Sequence, residues 1–164
     1  MKRLVILGAG GYGHTVADVA HQLGYSTIVL DDVDSAHPLS SFQSYINSST
    51  YFIPAFGNNA FRSEWINRIE EHGGQLTTLI HPTAYVSPTA AISPGCVILP
   101  HAIINTDVVI NRGCIINLGA IVDHGCILEE GVHICLGAIV KGENRIERLK
   151  KIEAGEVVER GSMK

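Results

Sequence analysis

The stretch "CIINLGAIVDHGCILEEGVHICLGAIV", residues 114–140, decides the fold. Every sixth residue in it is a large aliphatic: Ile116, Val122, Leu128, Ile134 and Val140. Two places before each stands a small or modest one: Cys114, Ala120, Cys126, Val132 and Ala138. A helix repeats every ~3.6 residues and a simple sheet every ~2, so a six-residue period matches neither. It fits short flat strands joined by sharp corners. The aliphatic points inward, its smaller partner fills the tapering corner, and the rest face out.

The period runs well beyond the quoted stretch. Cut in sixes from Ala84, the third position is Val, Ile or Leu thirteen times in succession, from Val86 to Val158. Three such faces close one triangular coil, which is the hexapeptide β-helix signature among repeat architectures. The pattern is clean to Glu143 and then fades: the small slot becomes Asn144, Lys150 and Glu156. A terminal coil with a polar face is what a capping repeat requires. The closing "GSMK", residues 161–164, reads as a frayed tail.

The first half follows another rule. "RLVILGAG" is a buried strand ending in glycine, and "GYGHTVADVAHQLGY" carries helical spacing at Val16, Val19, Ala20 and Leu23. "STIVLDD" and "YFIPAFG" are two more strands, "NNAFRSEWINRIEEHGG" is a helix, and "QLTTLI" is a fourth strand closed by His81-Pro82. Strands alternating with helices imply a small parallel sheet. The expected organisation is therefore an α/β Rossmann-like domain over residues 1–80 and an all-β coil over 81–160, followed by the tail.

Composition narrows the function. The 164 residues are 46% hydrophobic with a net charge of -4. Without a basic stripe, nucleic-acid binding is not expected. No apolar run reaches the ~18 residues of a membrane span, and "MKRLVILGAGG" turns to glycine too soon for a signal peptide, so a cytoplasmic location is expected. Cys96, Cys114, Cys126 and Cys135 form no CxxC pair, and three of them occupy the small slot, so they read as packed thiols rather than zinc ligands.

Gly8, Gly10 and Gly13 form a GxGxxG spacing between a strand and a helix, where backbone N–H groups and the helix dipole favour phosphate. Asp31 and Asp32 end the second strand, where an acid can bond a ribose hydroxyl. Taken alone, this motif also fits a dinucleotide or a ligand-free turn. A domain of this size is about one mononucleotide half of a full Rossmann fold, which fits a nucleotide-sugar better.

Together, "VILGAGGYGHTVAD", "FGNNAFR", "LIHPTAYVSPTAAI" and the hexads carrying "INLGAIVDHGCILEEGVHI" resemble bacterial sugar acyltransferases of the sialic-acid O-acetyltransferase and UDP-4-amino-sugar N-acetyltransferase type. The resemblance spans residue 3 to about 140. It implies a left-handed coil, a homotrimer, and acetyl-CoA and a UDP-amino-sugar meeting between subunits, with no metal. It places the nucleotide-sugar at Gly8, Gly10, Gly11, Tyr12, Gly13, His14, Asp31 or Asp32, Asn58 and Arg62. Asn58 or Asn59 also has a plain alternative role as a helix N-cap.

The same resemblance makes His124 the general base and His133 a second histidine lining the acetyl-CoA and substrate site, and Asn117, Lys141 and Gly142 are further residues expected at the acetyl-CoA site. Imidazole titrates near ~6.5 and suits proton removal at neutral pH. Two features depart from the family pattern. The acidic residue that usually follows the base is replaced by Gly125, leaving Asp123 as the adjacent carboxylate. Strand alternation would point Asp123 away from His124, and register would offer it Lys141 instead. The clean repeat also ends earlier than in the family, so Lys141, Arg145 and Lys150 are the cations expected near acetyl-CoA phosphates.

Three functions compete. The first is acetyl transfer to an amine or hydroxyl of a nucleotide-sugar for surface glycan synthesis. The second is a non-catalytic trimeric scaffold that binds a nucleotide-sugar. The third is a zinc enzyme of the γ-carbonic-anhydrase kind, which would show two histidines five apart. Here His124 and His133 are nine apart.

Overall fold

The computed structural model describes residues 2–162. Residues 163 and 164 of the expected tail lie outside the described residues. The chain opens with β1 (Arg3–Leu7), α1 (Gly11–Gln22) and β2 (Ser26–Leu30). A 3-10 helix (Leu39–Tyr45), β3 (Thr50–Pro54), α2 (Asn59–Glu71) and β4 (Gln75–Leu76) follow. The four strands form one parallel sheet in the order β2-β1-β3-β4. The tight entry into α1 explains the third glycine of the motif. A Cβ on Gly13 would lie 2.1 Å from the Gly8 carbonyl oxygen, so only glycine lets the helix start against the end of β1.

From Leu79 to Val158 the chain winds as two-residue strands separated by corners. Three parallel sheets result. Face one stacks the strands at Leu79–Ile80, Val97–Ile98, Ile115–Ile116, His133–Ile134 and Lys151–Ile152. Face two begins at Tyr85–Val86 and ends at Val157–Val158, and face three runs from Ala91–Ile92 to Arg145–Ile146. Each strand pairs with the one eighteen residues later, as Ile115 does with His133. This is a left-handed parallel β-helix following a Rossmann-like sheet. The inward aliphatics Ile98, Ile104, Ile110, Ile116, Val122 and Leu128 are wholly buried. Thiols of Cys96, Cys114 and Cys126 pack in the corner slots and donate to the carbonyls of Asn111, Glu129 and Lys141.

Two details differ from the sequence reading. The strand expected over residues 75–80 is two strands: β4 finishes the first sheet and Leu79–Ile80 opens face one. Thr78 makes the break, its hydroxyl donating to the Ser93 carbonyl at 2.9 Å. The fading repeat after residue 143 still completes a coil, with Ile146 and Ile152 fully buried and Val158 3% exposed. Buried Asn144 takes the corner slot by donating its amide to the Lys141 and Glu159 carbonyls, while Lys150 and Glu156 turn to solvent.

The N-terminal sheet is fixed to face one. Val16, Val19 and Ala20 of α1 pack in one apolar cluster with Leu79, Val97 and Leu99. His81 is buried at the junction: its Nδ1 accepts from the Thr83 N–H, which leaves Nε2 as the donor to Gln22 Oε1 at 2.9 Å. On the other side, Arg62 of α2 is 1% exposed. Its Nε donates to the Gly113 carbonyl at 2.8 Å, and its Nη2 to the Gly131 carbonyl at 2.9 Å. Nη1 donates to the Phe56 carbonyl, and Asn59 reaches the Leu149 carbonyl. Three stacked corners are thus gripped by one helical turn.

Among the described residues none of Arg62's hydrogen-bond acceptors is a carboxylate; carbonyl dipoles hold the charge. Burial lowers its pKa from the usual arginine value. Arg62→Met would keep the volume but strand three backbone acceptors. It is expected to lower unfolding stability by roughly 3–5 kcal/mol in a urea titration, each orphaned acceptor costing about 1–3 kcal/mol. A loss below about 1 kcal/mol would show that the clamp contributes little.

Candidate active site

The glycine loop, the end of β2 and the segment before α2 border a cleft of about 450 Å³. Gly10, Gly11, Tyr12, Asp31, Asn58 and Phe61 are on its wall. Asp31 is committed to holding the loop: Oδ2 accepts the Ala9 N–H at 2.7 Å and Oδ1 the Val33 N–H at 2.9 Å. Asp32 closes the following segment by accepting the Leu39 N–H at 2.9 Å. Asn58 caps α2, its Oδ1 accepting the Phe61 N–H at 2.9 Å. His14 is exposed on the first turn of α1. The Tyr12 hydroxyl is buried with no hydrogen-bond partner, and burial raises its pKa. Arg62 corrects the expectation that placed it with the ligand. It is i+4 from the cap Asn58, and its guanidinium turns to the coil and not to the cleft.

His124 sits at the corner between faces two and three, where the strand has already ended at Val122. The alternation that would separate Asp123 from His124 therefore does not apply. Asp123 Oδ1 accepts the His124 N–H at 2.7 Å and lies 3.0 Å from His124 Nδ1. The expected Asp123–Lys141 pair is absent: Lys141 Nζ reaches Glu159 at 2.6 Å, one coil further on. Asp123 instead accepts the Asn105 Nδ2 at 2.9 Å, one coil back. The Asn105 amide, then the His124 N–H and the imidazole, hold its carboxyl down to about 2. Ionised Asp123 places the proton on Nδ1 and leaves the Nε2 lone pair free to act as a base.

The imidazole is seated on Gly142, one coil above. A Cβ there would lie 2.6 Å from His124 Cε1 and 2.9 Å from Nε2. Of the cations expected near phosphates, Lys141 pairs with Glu159 and Arg145 with Glu129 at 2.7 Å, while Lys150 is exposed.

His133 lies elsewhere, on face one, and is 8% exposed. Asn117 Oδ1 accepts the Leu118 N–H at 2.8 Å, which turns its Nδ2 toward His133 Nε2 at 3.0 Å. Nε2 is thus the acceptor, and the proton resides on Nδ1, which is buried without a partner. Desolvation, then Arg62 and Lys151, push the His133 pKa down to about 4. The structure therefore separates two groups: His124 with Asp123, Lys141 and Gly142 at one corner, and Asn117 with His133 at another. The residue that the sequence reading overlooked is Asn105, whose signal was its position eighteen places before Asp123.

Because His133 binds a proton more readily unfolded (~6.5) than folded, stability rises with pH through this window. It is present above ~6.5 and is lost as the pH falls toward about 4. Between pH 7 and pH 5 the loss is roughly 2 kcal/mol. Urea titrations at both pH values should show it in the native chain and show it much reduced in His133→Gln. An equal drop in both would assign the acid sensitivity to other groups.

Among the described residues no helix is long and apolar enough to cross a membrane. The PglD N-terminal domain family model matches residues 3–69. The acetyltransferase domain of PglB from Neisseria gonorrhoeae FA1090, solved with acetyl coenzyme A, is 34% identical with a TM-score of 0.88, over 95% of this chain and 81% of that one. PerB from Caulobacter crescentus, solved with CoA and GDP-perosamine, is 25% identical with a TM-score of 0.85, over 98% of this chain and 90% of that one. WeeI from Acinetobacter baumannii AYE, 18% identical with a TM-score of 0.71 over 96% and 88%, shares the fold. With a glycine-loop sheet clamped to a hexapeptide coil, and that coil carrying a carboxylate-held histidine at its corner, the chain belongs to the hexapeptide-repeat sugar acetyltransferase family.

Proposed function

We propose that this protein transfers an acetyl group from acetyl-CoA to an amine or hydroxyl of a nucleotide-activated amino sugar, supplying surface glycan synthesis from the cytoplasm. The observation that carries the reading is the Asp123–His124 pair at an exposed corner, with the ring laid on Gly142 and Nε2 unengaged. His124 Nε2 takes the proton from the acceptor as its lone pair attacks the thioester carbon. The C–S bond then breaks, and the imidazolium returns that proton to the departing CoA sulfur. Asp123 stays ionised throughout, fixing the tautomer and stabilising the imidazolium without taking the proton. The cleft at the start of α1 suits the diphosphate of the nucleotide, with backbone N–H groups and the positive helix end as the attraction. PglB and PerB, solved with acetyl-CoA and with CoA plus GDP-perosamine, support the same pair of ligands here.

The assembly in this reading is a homotrimer. His124 lies at the corner between faces two and three and the Asn117–His133 pair at face one, so a site using both draws them from neighbouring copies. Face two also offers a partner surface. Its outward column, Tyr85, Ile103, Ile121, Ile139 and Val157, is apolar, with Tyr85 55% and Val157 46% exposed. Leu118 and Leu136 extend it at the adjacent corner. Continuous apolar surface of this kind marks an association site.

Free-thiol release from acetyl-CoA with UDP- and GDP-linked amino sugars tests the activity. His124→Ala is expected to lower kcat by roughly 10²–10⁴-fold, and Asp123→Asn by a smaller factor. Gly142→Ala should also lose about tenfold or more, because the added methyl displaces the ring by over an ångström. Unchanged turnover in His124→Ala would remove the proposed base. Nucleotide-sugar binding by calorimetry without any acetyl-CoA turnover would identify a scaffold. A monomer by light scattering would overturn the shared site.

A further inference from the structure

The Asp123–His124 pair has a third member, Asn105, one coil below. Its amide is oriented by its own corner: Asn105 Oδ1 accepts the Thr106 N–H at 2.8 Å and lies 3.3 Å from the Thr106 hydroxyl. That leaves Nδ2 as the group facing the next coil, where it donates to Asp123 Oδ1 at 2.9 Å. The same oxygen takes the His124 N–H and faces His124 Nδ1. Two of its three partners thus belong to the residue whose ring the carboxylate has to orient. The ring turns with the carboxylate, and the backbone N–H holds one oxygen from within the same corner only. Among the described residues Asn105 is the one side-chain partner of Asp123 anchored in a different coil.

The anchor matters because the corner is wet. The Asp123 and His124 side chains are 37% and 46% exposed, so water competes for both. A carboxylate free to rotate would release Nδ1 and let the ring exchange its proton between nitrogens, which removes the base whenever the proton sits on Nε2. The backbone is independently fixed: Gly125 N donates to the Thr106 carbonyl and Glu143 N to the His124 carbonyl, each at 2.9 Å. Side-chain rotation is the freedom that remains, and Gly142 closes the ring from above while Asn105 holds the carboxylate from below.

We propose that Asn105 is a positioning residue for acetyl transfer: its Nδ2 locks the Asp123 carboxylate so that His124 keeps its proton on Nδ1 and offers Nε2 to the acceptor. The proposal rests on the reading of His124 as the base. Asn105 also forms the turn onto Thr106, so the test separates the two roles. Asn105→Asp retains an oxygen for the Thr106 N–H and sets a second carboxylate against Asp123 in place of the donor. Asn105→Ala loses both.

The decisive measurement is the long-range ¹H–¹⁵N spectrum of the full-length, histidine-labelled protein, with the His124 ring assigned by its disappearance in His124→Ala. The native ring is expected as a single Nδ1–H tautomer. Both Asn105 variants should move its nitrogens toward averaged or protonated positions. In turnover, Asn105→Asp should lower kcat by roughly ten- to a hundredfold with KM for both substrates nearly unchanged, and add almost nothing in an Asp123→Asn background. Ring nitrogens unmoved in the uncharged Asn105→Ala, or equal kcat losses with and without Asp123, would overturn the proposal and leave Asn105 a turn residue. The spectrum does not depend on turnover. A shifted tautomer in a protein that transfers no acetyl group would sink the proposed activity and leave the positioning role standing.

Discussion

Every functional arrangement in this protein depends on one constraint, the backbone ladder that stacks each coil on the next at an interval of eighteen residues. Strands in such a ladder lie ~4.8 Å apart, which is the reach of a short side chain. Corner polar groups are therefore answered by residues one coil away. Asn105 serves Asp123, Lys141 serves Glu159, and Arg112 serves Glu130. The interior admits only what fills a narrow triangular prism, so aliphatics and small residues dominate there. The chemistry sits at corners because only there do side chains leave both the ladder and the packed interior.

That constraint also explains what the sequence made legible. The third-position aliphatics from Val86 to Val158 could be read directly, since burial tolerates little else. The last coil was harder because Asn144, Lys150 and Glu156 break the slot pattern, yet Asn144 is accommodated by hydrogen bonds to two carbonyls. His124 was legible as an outlying imidazole. Its partnership with Asp123 was not, because strand alternation was applied to two residues that lie past the strand's end. Asn105 needed the eighteen-residue interval and not the six-residue one.

Arg62 shows a different limit. A motif fixes residue types and their order, but not which side of a helix each one faces. Asn58 opens α2 beside the cleft, and Arg62 comes round one turn later against the coil. Its neighbours in the fold are carbonyl oxygens from Gly113, Gly131 and Phe56, none of which a sequence pattern displays. His133 carries the same lesson: its low proton affinity comes from burial at the seam between the two halves, a property of packing and not of spacing.

The first turn of α2 has a consequence for how the two halves work together. Phe61 and Asn58 wall the cleft, while Asn59 and Arg62, on the same turn, hold three successive corners of the coil. A hinge between the halves would have to tear those bonds, so the molecule acts as a fixed caliper. Its jaw opening, from cleft to coil, is set by the fold. Under the proposed function, sugars would then be sorted by how far their reactive group projects from the nucleotide, before any contact with the sugar ring discriminates among them.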